Sequence, residues 1–243
     1  MTVFITSSPY VENADRAILS NANDFIDRIR EVLPPEPRAL FICSDPDSRH
    51  LTCRFGADTA SAFNLADIPF SSYAVLDGAN GQEAPSLIEQ ADFIILAGGH
   101  VPTQNRFFQD IGLRELLEGF DGVVMGISAG SMNAADVVYA QPELEGESDP
   151  EFPRFLPGLG LTDVNLLPHY QQVKDYLLDG RRLFEDITYD DSWGQMFFAL
   201  PDNSYFYQDE TCLLLCGEAW CIRDGHCEKI CENGQVLDMS EWE

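Results

Sequence analysis

The stretch that decides the fold is Gly122-Val123-Val124-Met125-Gly126-Ile127-Ser128-Ala129-Gly130-Ser131-Met132-Asn133. Its apolar first half is typical of a buried strand, and Ser128 follows between Gly126 and Gly130, the G-x-S-x-G spacing of a nucleophile elbow. Glycines two positions either side fit a sharp turn from strand to helix that leaves no room for side chains. Ser128 is therefore a candidate nucleophile, although turns of small residues also join strands to helices without any catalytic role.

Segments typical of strands and of helices alternate on the N-terminal side of this stretch. The strand patterns lie at residues 2–7, 39–43, 73–76 and 93–96, and the helix patterns at residues 25–32, 52–65, 86–90 and 107–116. This alternation predicts an α/β fold with an open, mostly parallel sheet and helices on both faces. Ligands bind beyond the carboxyl ends of such strands, so we expect the turn at Gly98-Gly99 and Ser128 to share one functional edge.

The C-terminal half has a different pattern. Residues 139–160 are acidic and rich in Pro and Gly, which predicts a long surface excursion that covers the site. Residues 173–187 have a helical pattern, and residues 196–200 have that of a strand. Hairpin turns at Asp224-Gly225 and Asn233-Gly234 predict an antiparallel meander that closes one edge of the sheet. Because no linker or repeat interrupts the chain, we expect a single domain over residues 1–243.

The composition is that of an acidic globular protein. The 41 acidic and 14 basic side chains give a formal net charge of −27, which makes nucleic acid and anionic membrane surfaces poor partners. The first residues lack a basic segment followed by a long apolar one, and no apolar run approaches the ~18 residues of a membrane span. We therefore expect a cytoplasmic protein without a membrane partner.

The seven cysteines include no C-x-x-C pair, and five of them lie near His226 in the last part of the chain. Their irregular spacing in a strand-like context does not match a zinc site or a disulfide framework. We expect mostly buried thiols in a reducing compartment, with no metal site and no cofactor.

A serine nucleophile needs a general base, for which histidine is the usual residue. Of the four histidines, His50 lies in a polar loop and His226 in the C-terminal hairpin, whereas His100 and His169 follow apolar runs at the expected edge. His100 comes directly after the Gly98-Gly99 turn and is better placed to line the pocket. His169, at the end of Leu167-Pro168-His169-Tyr170, is therefore the predicted base.

A carboxylate is expected to hold the imidazole and to stabilise its charged form. Asp202, in the turn after residues 196–200, is the best-placed candidate. Weaker candidates are spread over the acidic surface: Glu143, Glu145, Asp136, Asp163 and Asp186.

These segments together resemble the peptidase E family, the aspartyl dipeptidases related to cyanophycinase and to class I glutamine amidotransferase-like domains. The resemblance rests on Gly126 to Gly130, on Ala97-Gly98-Gly99-His100, on Leu167 to Tyr170 and on Leu200-Pro201-Asp202-Asn203, in the order serine, histidine, acid. It implies a three-layer, flavodoxin-like fold. The third triad member of that family is usually a Glu in a Leu-Pro-Glu-Gly turn, and Asp202 occupies that position here.

The resemblance also implies an activity and its residues. It implies a serine peptidase acting on short peptides, including dipeptides with an N-terminal Asp, through Ser128, His169 and Asp202. Amides of Gly99 and Ala129 would form the oxyanion hole, and Arg181 or Arg182 would bind substrate. His100, which is expected to line the pocket, is a further candidate for substrate binding. A monomer or a homodimer is consistent with it.

Two alternatives remain open from the residues. One is an α/β-hydrolase esterase, with Ser128 followed by Asp186 or Asp202 and then by His226 as base. The other is a non-catalytic domain of the amidotransferase-like kind, whose pocket binds a ligand without turning it over.

Overall fold

The computed structural model describes residues 1–12, 14–240 and 242. The strands are β1 (Thr2–Thr6), β2 (Arg38–Ile42), β3 (Ser72–Leu76), β4 (Phe93–Leu96), β5 (Val123–Ile127), β6 (Val137–Tyr139), β7 (Phe155–Pro157), β8 (Leu166–Leu167), β9 (Leu177–Leu178), β10 (Arg181–Arg182), β11 (Met196–Ala199), β12 (Tyr205–Gln208), β13 (Leu213–Cys216), β14 (Ala219–Arg223), β15 (His226–Cys231) and β16 (Val236–Asp238). The α-helices are α1 (Phe25–Val32), α2 (Arg49–Leu65), α3 (Ala84–Gln90), α4 (Val101–Asp110), α5 (Leu113–Leu116), α6 (Ala129–Asn133), α7 (Tyr170–Val173) and α8 (Tyr189–Asp191). Short 3₁₀ turns also occur at Ala22–Asp24 and Gly81–Glu83, and a π-helical turn occurs at Phe184–Thr188.

The main sheet has the strand order β16-β13-β12-β1-β5-β4-β2-β3. Strands β1, β5, β4, β2 and β3 run parallel to one another, and helical connections lead from each of these strands to the next along the chain. Strands β12, β13 and β16 then add to β1 as antiparallel strands at the edge, and the chain passes through the second sheet between β13 and β16. The predicted α/β fold with a mostly parallel sheet is therefore confirmed.

Successive residues of the central strands face opposite sides of the sheet, as the pleat of a strand requires. Phe4 and Ile95 belong to a buried cluster with residues of α1 and α2. Ile5 and Ile94 belong to another cluster with residues of α3, α4 and α5. Helices thus cover both faces, which gives the three layers that the resemblance implies.

A second, smaller sheet has the order β15-β14-β11-β8. Strands β8 and β11 run parallel, with Leu167 opposite Ala199. Strands β14 and β15 form the predicted hairpin at Asp224-Gly225, whose positive φ angles of 50° and 77° fit a tight two-residue turn. The C-terminal strands are therefore divided between two sheets.

The prediction of a continuous helix over residues 173–187 is wrong. The helix α7 ends at Val173, and the chain then forms a hairpin of β9 and β10. The turn of this hairpin is Asp179-Gly180, in which both residues have positive φ (51° and 79°). An Asp-Gly pair favours a two-residue hairpin turn, and this local preference overrides the helical spacing of the apolar residues.

The prediction of a hairpin at Asn233-Gly234 is also wrong, because this turn carries the chain from β15 of the second sheet to β16 of the main sheet. The two strands therefore belong to different sheets and do not pair. Within the part of the chain that the structure describes, no helix has the length and apolarity that crossing a membrane requires.

Candidate active site

Ser128 lies in a strained turn between β5 and α6. Its φ of 50° and ψ of −111° are unusual for a residue with a side chain. A Cβ atom at Gly126 would lie 2.6 Å from Cα of Ser131, and one at Gly130 would lie 2.7 Å from Cβ of Leu96. Both positions therefore require glycine, as the spacing in the sequence indicates. The amide of Ser128 bonds the carbonyl oxygens of Thr6 and Ser7 at 3.1 and 3.0 Å, which fixes the elbow against β1.

The imidazole of His169 lies between Ser128 and Asp202. Its Nε2 is 2.9 Å from Oγ of Ser128, and its Nδ1 is 2.7 Å from Oδ1 of Asp202. An ionised carboxylate only accepts hydrogen bonds, so the ring proton belongs on Nδ1. Nε2 is then free to accept the hydroxyl proton of Ser128. The three side chains form a continuous hydrogen-bonded chain of the kind found in serine hydrolases.

The topology of the two sheets explains why these residues meet. Ser128 follows β5, whereas His169 and Asp202 follow the neighbouring parallel strands β8 and β11. Because parallel neighbours end at the same edge, His169 and Asp202 come together there. The amide of Tyr170 bonds the carbonyl oxygen of Leu200 at 3.1 Å, which joins the two strand ends.

Ser7 at the end of β1 is a further part of this arrangement, and its role is not predicted from the sequence. Its fully buried hydroxyl donates to Oδ1 of Asp202 at 2.9 Å and accepts a hydrogen bond from the amide of His169 at 2.8 Å. One serine thus orients both partners. A serine after an apolar strand carries no specific signal in a sequence, since its partners lie more than 160 positions away.

The environment of Asp202 keeps its carboxyl group ionised. Burial by itself would raise the pKa of Asp202, whose side chain is only 6% exposed. Hydrogen bonds from His169 and Ser7, together with the charge of His169, outweigh this effect and lower the pKa below its usual value. Asp202 can therefore stabilise a positive charge on His169.

The Gly98-Gly99 turn lies directly against Ser128. A Cβ atom at Gly98 would be 3.5 Å from Cβ of Ser128, and one at Gly99 would be 2.5 Å from Cβ of Ser44. Within residues 1–12, 14–240 and 242, the amide of Gly99 donates no hydrogen bond. The amide of Ala129, as the first residue of α6, has no partner inside that helix. Two amides next to Ser128 are thus available to an incoming oxygen.

A cavity of about 640 Å³ opens beside Ser128. Its walls come from both sheet edges and from the segment that follows β6: Ser8, Gly98, Gly99, Val101, Ile127, Ser128, Met132, Gln141, Pro142, Glu143, Leu144, Pro168, His169, Val173, Tyr176 and Leu183. The acidic excursion therefore supplies one wall of this cavity through residues 141–144. The volume lies within the ~300–1,000 Å³ of sites for small molecules.

Glu147 holds that wall in place. Its Oε2 accepts hydrogen bonds from the amides of Glu143 and Leu144, both at 2.9 Å, and its Oε1 lies 2.8 Å from Nε2 of His100. Burial alone would raise the pKa of Glu147, but these bonds lower it below its usual value. His100, expected to line the pocket, instead turns its ring toward Glu147 and Thr103. It supports the wall from behind.

Arg181 and Arg182, the expected substrate-binding residues, do not line the cavity. Arg181 donates to the carbonyl oxygens of Ser148 and Asp186, and Arg182 pairs with the carboxylate of Asp186. Both guanidinium groups are thus committed to protein partners.

The base of the esterase alternative, His226, and one of its two candidate acids, Asp186, are not brought to the site, whereas Asp202 is hydrogen-bonded to His169. His226 begins β15 opposite Arg223, and Asp186 pairs with Arg182. Among the weaker candidate acids, Asp136 pairs with Arg114, and Glu143 is the one that lines the cavity.

All seven cysteines have free thiols. Among the described residues, no group of three or more His, Cys, Asp or Glu side chains is arranged to hold a metal ion.

Comparison with known proteins identifies the class. The model of peptidase family S51 matches residues 18–220. The chain therefore belongs to peptidase family S51 and is a serine-type peptidase. No curated protein matches the chain.

Solved structures resemble the whole chain. The crystal structure of a "putative peptidase E protein" from Listeria monocytogenes EGD-e superimposes with a TM-score of 0.59 at 16% sequence identity. The alignment covers 95% of this chain and 98% of that one. At this identity the likeness establishes the shared fold alone.

Proposed function

We propose that the protein hydrolyses short peptides through an acyl-enzyme formed on Ser128, with His169 as general base and Asp202 as its orienting acid. The observation that carries this proposal is the unbroken chain of hydrogen bonds from Ser128 through His169 to Asp202, at 2.9 and 2.7 Å. The cavity of about 640 Å³ beside Ser128 suits a dipeptide or tripeptide.

Acylation begins when Nε2 of His169 takes the hydroxyl proton of Ser128 and Oγ bonds to the carbonyl carbon of the peptide. The imidazolium that forms is stabilised by the carboxylate of Asp202. The intermediate collapses as the carbon–nitrogen bond breaks, and His169 gives its proton to the leaving amine. The proton that leaves Ser128 is thus transferred through His169 to the amine, which is the first product.

Deacylation repeats these steps with water. His169 takes a proton from water as the water oxygen bonds to the acyl carbon, and the bond to Oγ of Ser128 then breaks. The proton returns to Ser128, and the carboxylic acid product leaves. In both acylation and deacylation, the amides of Gly99 and Ala129 would stabilise the oxyanion. Such stabilisation is usually the largest single contribution to catalysis of acyl transfer.

The test is hydrolysis of a panel of dipeptides and tripeptides by the wild type and by Ser128→Ala, followed by chromatography of the released amino acids. We expect Ser128→Ala to lose activity by about 10⁴-fold or more. Ser86→Ala, at an exposed serine of α3, is the matched control and should retain full activity.

Covalent labelling provides a readout that does not depend on the choice of peptide. A fluorophosphonate should add to the wild type and to Ser86→Ala but not to Ser128→Ala, as seen by intact-protein mass. His169→Ala should lose labelling and hydrolysis while His226→Ala keeps both. Undiminished turnover by Ser128→Ala would refute the proposal, and dependence on His226 would favour the esterase arrangement.

A further inference from the structure

The wall of the cavity around Ser128 is predominantly apolar. Ile127 precedes Ser128, Met132 lies one turn into α6, and Val101 begins α4 beside the Gly98-Gly99 turn. These side chains are 8, 6 and 4% exposed, so their positions are fixed by the packing of the core. Leu183 and Val173 extend the same surface. A substrate group that fills this space is therefore removed from water against hydrocarbon.

No lysine or arginine of the described residues lines this cavity. Two arginines on neighbouring segments bind protein partners, and Lys174, which follows Val173, is exposed and does not line the cavity. Arg154 pairs with Asp191 and binds the carbonyl oxygen of Glu147, and Arg182 pairs with Asp186. A substrate carboxylate in this space would be desolvated without a cation to compensate it, which is costly.

Glu143 is the carboxylate that lines the cavity, and it forms no ion pair within residues 1–12, 14–240 and 242. Its amide is held by Glu147 at 2.9 Å, so the backbone that carries it is fixed. Desolvation in the cleft raises the pKa of Glu143 above its usual value, whereas the charges of His100 and His169 lower it. The carboxyl group therefore lies within electrostatic reach of His169 and lines the same cavity as Ser128.

We propose that the site selects peptides with a free amino terminus and a large apolar first side chain such as Leu, Met or Phe. This inference rests on the proposed function and names its substrate class. The apolar side chain would pack against Val101, Ile127 and Met132, while the ammonium group pairs with Glu143. An N-terminal aspartate, which the resemblance implies, would instead bring its carboxylate to an apolar wall beside a like charge.

The first experiment compares kcat/KM for Leu-Ala, Met-Ala and Phe-Ala with that for Asp-Ala. We expect the apolar peptides to be preferred by roughly 10- to 200-fold, the range that a hydrophobic pocket can provide. Equilibrium binding of the same peptides to Ser128→Ala measures the preference without turnover. A preference of the wild type and of Ser128→Ala for Asp-Ala would overturn the proposal.

The second experiment isolates the ammonium group. Glu143→Gln should raise KM for Leu-Ala about tenfold and leave that for N-acetyl-Leu-Ala unchanged, whereas Glu145→Gln, at an acid of the same segment that does not line the cavity, should alter neither. Equal effects of Glu143→Gln on both peptides would refute the role of Glu143.

Leu144→Arg adds a cation at an exposed lining position and should move the preference toward Asp-Ala. An unchanged ratio in this variant would contradict an electrostatic basis for the selection.

Fluorophosphonate labelling distinguishes failure of the substrate assignment from failure of the mechanism. If Ser128 is labelled and peptides are cleaved but Asp-Ala is preferred, the substrate assignment fails and the proposed mechanism stands. If Ser128 is not labelled and no peptide is cleaved, the mechanism fails as well. Labelling together with a preference for Leu-Ala supports both.

Discussion

The hydroxyl group of Ser7 donates a hydrogen bond of 2.9 Å to Oδ1 of Asp202, the same oxygen that accepts Nδ1–H of His169. Ser7 also accepts the amide of His169, so it joins the acid and the base independently of their mutual contact. It therefore acts as a positioning residue that holds the ring of His169 in line with Ser128. In the proposed mechanism, its contribution is separable from proton transfer.

We expect Ser7→Ala to lower kcat by about 10- to 100-fold, because small displacements of a catalytic group are costly. The loss of two buried hydrogen bonds should reduce the free energy of unfolding by about 1–3 kcal/mol. The matched control is Ser192→Ala, since that buried hydroxyl also donates one bond, to the carbonyl oxygen of Tyr189, and accepts one, from the amide of Gly225. It should lose similar stability in urea denaturation and keep its kcat. Equal kcat losses in both variants would assign Ser7 a purely structural role.

Asp202→Asn should lower kcat by about 10⁴-fold, as expected when the orienting carboxylate of a triad is lost. The variant also tests the pH dependence of stability. Because the pKa of Asp202 is lowered in the folded protein, its carboxylate contributes stability that is fully present above the unfolded value of 3.8. That contribution is lost as the pH falls through the folded pKa.

The measurement is the free energy of unfolding of the wild type and Asp202→Asn at several pH values between 7 and 3. The advantage of the wild type should be constant at the higher pH values and should shrink below about pH 4. A difference that grows on acidification would show that the carboxyl group is not stabilised in its ionised form.

Gly99 can be tested through its contact with Ser44. An alanine at this position would place its Cβ 2.5 Å from Cβ of Ser44, so the turn and its amide must shift. We expect Gly99→Ala to lower kcat by about 10²- to 10³-fold, the cost of losing one oxyanion donor. Ser44→Gly removes the obstructing atoms, since the next nearest atom is Cα at 3.9 Å. The double variant should recover most of the activity, and failure to recover would refute this role of Gly99.

The sequence indicates the strands and the polar residues that follow them, because each strand is an apolar run that ends at a distinctive residue. Ser128, His169 and Asp202 are predicted from the sequence in this way, and the structure joins their side chains by hydrogen bonds. Ser7 cannot, since its role arises from contacts between β1, β8 and β11. Such contacts depend on which strands become neighbours, and strand order is not encoded locally.

The error over residues 173–187 has a related physical cause. Strands of two residues, such as β9 and β10, are too short to show an alternating pattern. Arg181 and Arg182 are conspicuous in an acidic sequence, but their conformation follows from the tight turn at Asp179-Gly180 and from Asp186. A role is therefore predicted more securely for a residue inside a motif shared with a family than for an arginine outside any motif.

Arg154 should anchor the segment that lines the cavity. Its side chain is 11% exposed, pairs with Asp191 at 3.1 Å and donates to the carbonyl oxygens of Glu147 and Ser148. We expect Arg154→Met to reduce the free energy of unfolding by about 1.5–3 kcal/mol, as for hydrogen bonds to charged groups, and to raise KM. Arg54→Met removes an exposed pair with Asp58 and should cost at most about 0.5 kcal/mol. Thermal denaturation and peptide kinetics of both variants check this, and an unchanged KM in Arg154→Met would separate the segment from substrate binding.

The ionisation of Glu143 should be visible in the pH dependence of peptide binding. Desolvation and the charge of Glu147 raise the pKa of this carboxyl group, whereas the charges of His100 and His169 lower it, and the net shift is upward from 4.5. A carboxyl group with a raised pKa stays protonated to higher pH, and only its ionised form pairs with a substrate ammonium. KM for Leu-Ala should therefore fall as the pH rises through a value above 4.5.

Glu143→Gln should abolish this pH dependence of KM. The pH dependence of kcat that arises from the proposed base, His169, should be retained. The pH dependence of the free energy of unfolding should have the sign that a raised pKa of Glu143 requires. The folded state binds more protons than the unfolded state between 4.5 and the raised pKa, so the contribution of Glu143 to stability should decrease across that interval as the pH rises. Unfolding of the wild type and Glu143→Gln, compared at several pH values from 4 to 7, measures this difference. If KM of both proteins followed the same pH profile, the ammonium group of the substrate would have to be recognised elsewhere in the cavity.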